Sequence, residues 1–432
     1  MVVFLLVLIV VLALLGAVHW YVWRRLVRDV TRRGSLPRRL GTVAVVVLPV
    51  LSFAALGSAR AGAPFLLQQL VAWPGYLWLA LLLYVTLALV LGEAVRPVLR
   101  AWLARRDAAG AAAPTAPVPA PARESVPAAA QPAGPTGPVE PDVPSGPAAE
   151  PASVPTEVSR RLFVSRVVGG AAAAAAVGTV GYGTYGVLRG PRIKRVTVPL
   201  AKVPRAAHGY RIAVVSDIHL GPILGRAHTQ RIVDAINSTQ PDLIAVVGDL
   251  VDGTVENLGP AAEPLARLRA RHGSFFVTGN HEYFSGADAW VDHVRELGLR
   301  PLRNERVEIA AGFDLAGVDD IAGESEGQGP DFGRALGDRD RARAAVLLAH
   351  QPVVVHDAVR HGVDLQLSGH THGGQLWPGN YLAELANPTV AGLERYGDTQ
   401  LYVSRGAGAW GPPVRVGAPS DITLVQLASK QA

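Results

Sequence analysis

The stretch SGHTHGGQLW, residues 368–377, places two histidines two positions apart and follows them with a pair of glycines. The chain has only twelve histidines in 432 residues, so two of them in one glycine-rich turn suggest a site that approaches a ligand closely. The residues just before it, LQL, belong to a short β-rich run, as a strand does. The stretch therefore predicts a strand that ends in two imidazole side chains.

Alternating strand and helix signals lie on both sides of this stretch. From residue 196 onward, short apolar runs alternate with amphipathic stretches and polar turns, which predicts an α/β domain. Helices are expected at 227–238 and 287–297. Strands are expected at 211–216, 243–247, 274–278, 345–348, 364–367 and 401–403.

Polar residues that can bind metal ions stand where five of these strands end. In chain order they are Asp217, His219, Asp249, Asn280, His281, His350, His370 and His372. In extended backbone, side chains two positions apart point to the same side, so Asp217 and His219 are expected to reach one ion together. The site of an open α/β sheet lies beyond the carboxyl ends of its strands. We therefore expect these side chains to meet at one edge of the domain.

The residue types favour a pair of divalent cations. Imidazole and carboxylate ligands without thiolate suit Mn, Fe, Zn or Co, and the chain has no cysteine. Apart from His281, the set offers seven ligands, too many for one ion but suitable for two that share a carboxylate. Two such ions can hold a hydroxide as nucleophile and neutralise phosphate oxygens. Each motif alone is more often structural, as a capped turn or a core histidine, but all five in order favour a metal site.

The ordered motifs resemble those of the calcineurin-like metallophosphoesterase superfamily over roughly residues 194–427. The motifs are SDIHLG at 216–221, GDLVDG at 248–253, GNHEYF at 279–284, AHQP at 349–352 and SGHTHGGQLW at 368–377. GHTHGGQ, with the terminal YVSRGAGAWGPPVRVGAPSDITL, is similar to a membrane-linked bacterial phosphodiesterase branch. The resemblance implies an αββα fold, a β-sandwich flanked by helices with the metals at one rim.

The resemblance also implies a role for each matching residue. The first-ion ligands would be Asp217, His219 and His372, the second-ion ligands Asn280, His350 and His370, and the bridging ligand Asp249. His281, beside a ligand, would protonate the leaving oxygen or stabilise the transition state. The pair Ser420-Asp421 departs from the Pro-Glu that this branch tends to have, and no chemistry is attached to it.

The N-terminal part is expected to contain about four transmembrane helices. Uncharged apolar runs at 1–23, 40–59 and 73–91 are about long enough to cross a bilayer, and arginine clusters follow the first and third. A fourth run, 167–188, is rich in Ala and Gly and is expected to be a span, with an ordinary soluble helix as the alternative. A cleaved signal peptide is not expected at the start, because that run has no charged n-region.

Charge is divided unevenly along the chain. Residues 1–195 carry 20 Lys and Arg against 8 Asp and Glu, whereas residues 196–432 carry 21 against 27. The positive-inside rule places the arginine-rich loops in the cytoplasm, and the domain after residue 188 outside it. The basic cluster at 189–195 argues mildly for the opposite orientation. The acidic balance of the domain makes a nucleic-acid partner unexpected.

A linker separates the third and fourth spans. Residues 107–158 are dominated by Ala and Pro, which predicts a disordered cytoplasmic segment. The next residues, SRRLFVSR at 159–166, resemble a twin-arginine export signal or form an ordinary basic flank, and both interpretations put the domain outside. No A-x-A-like cleavage site follows residue 188, so retention of the span is expected. The expected organisation is a membrane region at 1–106, the linker at 107–158, the motif and fourth span at 159–190, and the catalytic domain at 191–432.

These features predict a membrane-anchored hydrolase with two divalent metal ions. The expected reaction is hydrolysis of a phosphodiester or pyrophosphate bond, in a lipid head group or cell-envelope substrate. The alternative is a low-turnover metal- or envelope-binding membrane protein on the same fold. His281 favours the enzyme, because binding alone does not need it. A transporter is disfavoured, because the spans hold almost no internal charge.

Overall fold

The computed structural model of the protein describes residues 2–111 and 160–431. The predicted linker lies outside these residues except for 107–111, and so does Ser159 of the predicted export motif. Four helices in the described chain are long and apolar enough to cross a membrane. They are α1 (Val2–Trp23), α2 (Leu36–Gly57), α3 (Phe65–Ala111) and α4 (Arg160–Leu188).

Helices α1 to α4 form the helix bundle, in which α3 packs along both α2 and α4. A Cβ atom on Gly75 would lie 2.4 Å from the carbonyl oxygen of Leu51, so glycine is what lets α2 and α3 approach this closely. A π-helical turn, Arg24–Arg28, follows α1. Within it Arg25 pairs with Asp29 at 3.1 Å and with Glu93 of α3 at 2.9 Å. Charged side chains thus tie α1 to α3 at one end of the bundle.

The rest of the described chain forms the sandwich. Its strands are β1 (Arg192–Leu200), β2 (Arg211–Val215), β3 (Leu243–Val247), β4 (Ser274–Val277), β5 (Arg300–Pro301), β6 (Glu305–Ile309), β7 (Phe313–Gly317), β8 (Ala344–Leu348), β9 (Leu365–Ser368), β10 (Gly392–Tyr396), β11 (Thr399–Val403) and β12 (Asp421–Ser429). Its helices are α5 (Arg226–Ser238), α6 (Val255–Ala262), α7 (Asn280–Ser285), α8 (Ala287–Glu296), α9 (Phe332–Leu336), α10 (Val355–Arg360) and α11 (Gly379–Ala386).

The strands form two six-stranded sheets, and this arrangement brings five strand ends to one rim. Their orders are β1-β12-β2-β3-β4-β5 and β10-β11-β9-β8-β7-β6. Strands β2, β3 and β4 run parallel in the first sheet, and β7, β8, β9 and β11 run parallel in the second. Parallel neighbours end on the same edge of a sheet. Polar residues that follow such strands can therefore converge.

The core lies between the sheets, and helices cover both outer faces. Val214 and Val247 of the first sheet pack with Val346 and Leu367 of the second. Helices α5, α6 and α8 cover the first sheet, where Trp290 is fully buried, and α9 and α10 cover the second. Every residue of β3 and β8 is buried, as expected for parallel strands covered on both faces. The predicted αββα fold is confirmed, and the six predicted strands lie within two residues of the observed ones.

Two loops of the sandwich insert between helices of the bundle. We call residues 375–378 and 410–416 the inserted loops. The hydroxyl of Tyr84 in α3 donates to the carbonyl oxygen of Trp377 at 3.0 Å. Val414 is fully buried among side chains of α1, α3 and α4, and a Cβ on Gly183 of α4 would lie 2.7 Å from it. The sandwich therefore packs into the bundle as well as following it in the chain.

Candidate metal centre

All eight predicted site residues lie at the rim where β2, β3, β4, β8 and β9 end. Asp217, His219 and His372 form one group of possible metal ligands. Asp249, His350 and His370 form a second group. The two groups have the composition that the motif resemblance implies for two ions, with Asn280 beside the second.

In the first group, nitrogen and oxygen atoms of three side chains lie close together. Nε2 of His219 lies 3.0 Å from Nε2 of His372, which lies 3.3 Å from Oδ1 of Asp217. Nδ1 of His219 donates to Asp252 at 2.8 Å, so its Nε2 is free to bind an ion. Burial lowers the pKa of His219, but the carboxylates around it, Asp252 first, raise that pKa to about 9. The carboxylates around His219 therefore make this group a favourable place for a positive charge.

The second group contains a buried nitrogen that lacks a hydrogen-bond partner among the described residues. Nδ1 of His350 donates to the carbonyl oxygen of Val247 at 2.9 Å. Its Nε2 lies 3.1 Å from Oδ2 of Asp249 but outside hydrogen-bond geometry. Nδ1 of His370 lies 3.0 Å from the amide oxygen of Asn280. A cation that accepts imidazole, carboxylate and amide oxygen would satisfy all four side chains.

Asp249 stands between the two groups. Its Oδ2 lies 3.1 Å from Nε2 of His350 and 3.7 Å from Nε2 of His219. Burial raises the pKa of Asp249, but His350, His219 and His281 outweigh it and hold that pKa well below its usual value. Asp249 is thus an ionised carboxylate in reach of both groups, as a bridging ligand must be.

The backbone at these residues differs from the extended conformation expected from the sequence. Asp217, His219, Asp249, His370 and His372 all have positive φ, between 49° and 73°. The strands end before these residues, so the left-handed backbone, rather than strand alternation, aims their side chains. Such conformations cost on the order of 1–3 kcal/mol each and are typical of functional sites.

Neighbouring glycines allow the close packing that this backbone produces. A Cβ on Gly369 would lie 2.3 Å from Oδ2 of Asp217, and one on Gly279 would lie 2.3 Å from Oδ1 of Asp249. Any side chain at either position would displace one of these two carboxylates. The glycines of the motifs are therefore needed for space.

Asp252 is a residue of the site that the sequence interpretation missed. Oδ1 of this residue accepts from Nδ1 of His219 at 2.8 Å and lies 2.7 Å from Nδ1 of His281. Burial raises the pKa of Asp252, but the two histidines outweigh it and lower that pKa to about 2. One carboxylate therefore orients two imidazoles. The second Asp of GDLVDG was the available signal, since it follows Asp249 by three residues.

His281 lies at the opening of the site. Its Nε2 is 4.0 Å from Oδ2 of Asp249, and its Nδ1 lies 2.7 Å from Oδ1 of Asp252. The rings of Phe284 and Trp410 lie 5.6 and 5.9 Å from its ring. This partly exposed imidazole is positioned to contact a substrate.

Glu282 is a buried residue behind the site that the sequence interpretation also missed. The carboxylate of Glu282 accepts from the backbone amides of Asp249, Leu250 and Gly279 at 2.9, 2.8 and 2.6 Å. Burial, then the charge of Asp249, raises the pKa of Glu282 to about 7. This side chain joins the exits of β3 and β4, and nothing in GNHEYF marked it for that role.

Arg415, on an inserted loop and also missed by the sequence interpretation, holds His372 of the first group. Its guanidinium donates to Nδ1 and to the carbonyl oxygen of His372, both at 3.0 Å. Burial, then the charges of His219 and Arg415, lowers the pKa of His372 well below its usual value. The imidazole ring therefore stays uncharged.

Comparison with known proteins agrees with this geometry. The family model for the calcineurin-like phosphoesterases matches residues 210–374. An uncharacterised metallophosphoesterase of Aquifex aeolicus is 35% identical over 55% of this chain and 92% of its own length. The chain belongs to the calcineurin-like metallophosphoesterase family. Like this Aquifex relative, a Helicobacter pylori metallophosphoesterase matches well, with 38% identity over 57% of this chain and 67% of its own length.

The name of another metallophosphoesterase relative describes it as a transmembrane protein. It is a transmembrane protein with a metallophosphoesterase domain from Danio rerio, 39% identical over 58% of this chain and 60% of its own length. The chain thus matches about 60% of the length of this relative. Together with the four long apolar helices, the match indicates a multi-pass membrane protein.

Proposed function

We propose that this metallophosphoesterase hydrolyses a phosphodiester or pyrophosphate bond in a membrane-held substrate, a lipid head group or a cell-envelope component. The observation that carries the proposal is the pair of ligand groups that share Asp249 and have His281 at their opening. The donor set fits two divalent cations from the Mn, Fe, Zn and Co group. We further propose that residues 191–432 are the catalytic domain and 1–106 and 159–190 its membrane anchor.

The ligand roles follow the two groups of side chains. Asp217, His219 and His372 would hold one ion, Asn280, His350 and His370 the other, and Asp249 both. When bound, the ions supply positive charge for the phosphate oxygens and acidify water so that it can act as nucleophile at neutral pH.

His281 is proposed to deliver the proton that the leaving oxygen needs. Its Nδ1–H is engaged by Asp252, which fixes the ring and leaves Nε2 directed at the site. A proton on Nε2 can pass to the departing alkoxide, while the carboxylate stabilises the imidazolium beforehand. The pair also speaks against the low-turnover binding alternative, because simple metal or envelope binding has no use for an oriented acid.

The catalytic domain is proposed to lie on the outer face of the membrane. The loop between α2 and α3 lies on the same side of the bundle as the metal centre: Arg60 stacks over the ring of Phe284 at 5.8 Å, and both line a cavity of about 190 Å³ with His281. The arginine-rich turn after α1 lies at the opposite end, near Gly169 of α4. By the positive-inside rule that end is cytoplasmic. A C-terminal reporter that is active only outside the cytoplasm tests this orientation.

Hydrolysis of an aryl phosphodiester tests the activity. The full chain in detergent, loaded with manganese, is expected to hydrolyse bis(p-nitrophenyl) phosphate. His281→Ala should lower kcat by roughly 10²–10⁴-fold, the usual contribution of a general acid, without reducing bound metal. Asp338→Asn, an exposed carboxylate change near the opposite edge of the sheet, is the control. Wild-type turnover no better than that of His281→Ala would favour the binding alternative.

A further inference from the structure

An apolar cavity opens directly onto the metal centre. It has a volume of about 680 Å³. His370 and His372 form one end. The residues that line the remainder include Leu83, Leu376, Tyr381, Leu382, Trp410 and Pro412. Leu83 of the bundle helix α3 therefore lies on one side of the cavity, and the sandwich forms the rest.

The outer lip of this cavity is a helix with no buried residue. Along α11, Tyr381 is 59% exposed, Leu382 71% and Leu385 84%. Clustered apolar exposure of this kind is uncommon on a soluble surface and marks contact with a membrane or partner. Because α11 directly follows an inserted loop, its apolar side chains continue the surface of the bundle.

The position of the cavity along α3 matches the interior of a bilayer. Glu93 belongs to the charged cluster at one end of the bundle. Tyr84, bonded to Trp377, is nine residues before it, about 14 Å along the helix at 1.5 Å per residue. Since a bilayer core is about 30 Å thick, Leu83 and the cavity wall lie well inside it.

The other side of Trp410 faces charged residues. Trp410 also lines the smaller cavity that contains Arg60, Asp252 and His281. A molecule that extends from one cavity to the other passes the metal ligands. Its apolar part would lie against Leu83 and Leu382, and its polar part would lie near Arg60.

We propose that the apolar cavity binds a hydrocarbon chain of a membrane lipid, which enters sideways from the bilayer and presents its phosphoester to the metal centre. This rests on the proposed phosphoesterase function and names the substrate class for that site. Continuity with the bundle argues for this occupant: Leu83 of α3 lines the cavity, and the exposed apolar side chains of α11 form its open lip. A water-soluble substrate would leave these apolar side chains without a partner.

A pair of matched leucine changes tests the cavity kinetically. The full chain, loaded with manganese in phosphatidylglycerol vesicles, is assayed with a dioleoylglycerol p-nitrophenyl phosphodiester and with bis(p-nitrophenyl) phosphate. Leu382→Gln should lower the ratio of lipid to aqueous kcat/KM about tenfold, the size of effect expected from an apolar pocket. Leu385→Gln, on the same helix but outside the cavity lining, should leave the ratio unchanged. An unchanged ratio in Leu382→Gln, or an equal fall in both variants, overturns the proposal.

A photoreactive side chain identifies the occupant without relying on turnover. Trp410→p-benzoylphenylalanine, irradiated in phosphatidylglycerol vesicles, should form a lipid adduct detectable by mass spectrometry. Arg341→p-benzoylphenylalanine, exposed just before the amino end of β8, should not. An adduct to a second copy of the chain or to residues 112–159, or no lipid adduct, overturns the proposal. If both substrates resist hydrolysis while the lipid adduct forms, the phosphoesterase function fails and the lipid site stands.

Discussion

The bundle and the sandwich distribute apolar and charged side chains in opposite ways. On the bundle, large apolar side chains such as Leu14 and Leu91 are exposed, and ion pairs gather at one end around Glu93. The sandwich keeps its apolar residues inside and buries its carboxylates and imidazoles at one rim. Its exposed aromatic residues Phe284, Trp377 and Trp410 lie beside the bundle. The metal centre therefore lies where a water-adapted surface meets a lipid-adapted one.

The largest effect is expected from the carboxylate that joins the two ligand groups. Asp249→Asn removes the charge shared by His350 and His219, so bound metal should fall below two ions per chain. Aryl phosphodiesterase activity should fall by more than about a hundredfold, beyond the usual loss for an outer-shell change. Metal content by plasma mass spectrometry and kcat are the measurements. Two tightly bound ions in the variant would contradict the bridging role.

A smaller loss is expected from Asp252, the carboxylate beside His219 and His281. Asp252→Asn leaves His219 and His281 without their charged partner, which should cost about 10–100-fold in activity or metal affinity. Asp252 is a positioning residue. Its loss should therefore lower the maximal kcat and also shift the pH at which kcat changes. Asp338→Asn provides the matched control. A variant with reduced stability but a wild-type pH profile would reduce Asp252 to a structural role.

The link between the two regions should have a moderate effect. Arg415→Gln removes the guanidinium from Nδ1 of His372 and leaves the hydrogen bond of Tyr84 to Trp377 in place. Activity is expected to fall about tenfold, at the lower end for a residue that orients a metal ligand. Arg415→Lys should recover part of it, while Tyr84→Phe should leave metal affinity unchanged. Equal metal affinity in Arg415→Gln and the wild type would show that the inserted loop does not support metal binding.

The smallest effect is expected on the folding stability of the sandwich at acidic pH, and it depends on His228. His228 in α5 is buried, and neither ring nitrogen has a hydrogen-bond partner among the described residues. Burial, then Arg231 and Arg415, lowers its pKa to about 3. The unfolded chain takes up a proton near pH 6.5 and the folded chain does not, so stability present above that pH is lost as it falls towards 3.

The loss attributable to His228 should be about 2–3 kcal/mol between pH 7 and pH 4.5, since each pKa unit corresponds to about 1.4 kcal/mol. His228→Leu should remove that part of the pH dependence. The melting temperature of both chains, measured at the two pH values with metal chelated, provides the comparison. Parallel curves would show that His228 is not an acid-sensitive residue.

The sequence predicted the parts of the fold that depend on local signals. Strands such as β3 and β8 are continuous apolar runs, because they are covered on both faces. Strand β10, by contrast, is polar and half exposed at a sheet edge, and β1 pairs with β12 more than 200 residues away. The local sequence pattern predicts neither an exposed edge strand nor a pairing between strands so far apart in the chain. The ligand types were predictable because each follows a strand, whereas the left-handed backbone that aims them depends on tertiary contacts.

Contacts between the two regions were also beyond prediction. Nothing in the residues around Trp377 or Val414 signals insertion between helices, since apolar loop residues pack equally well inside a domain. Arg415 resembles any other arginine until its loop is seen to be buried. Asp252 is the exception, because its place in GDLVDG was visible and only its partners were not.

Arg415 links a long apolar helix to the candidate metal centre. It orients His372, and its backbone nitrogen donates to the carbonyl oxygen of Gly183 in α4 at 3.3 Å. Helix tilt responds to hydrocarbon thickness, and a change in the tilt of α4 moves the loop that carries this guanidinium. Catalysis is then expected to vary with the acyl-chain length of the host membrane, which would make the enzyme responsive to membrane thickness.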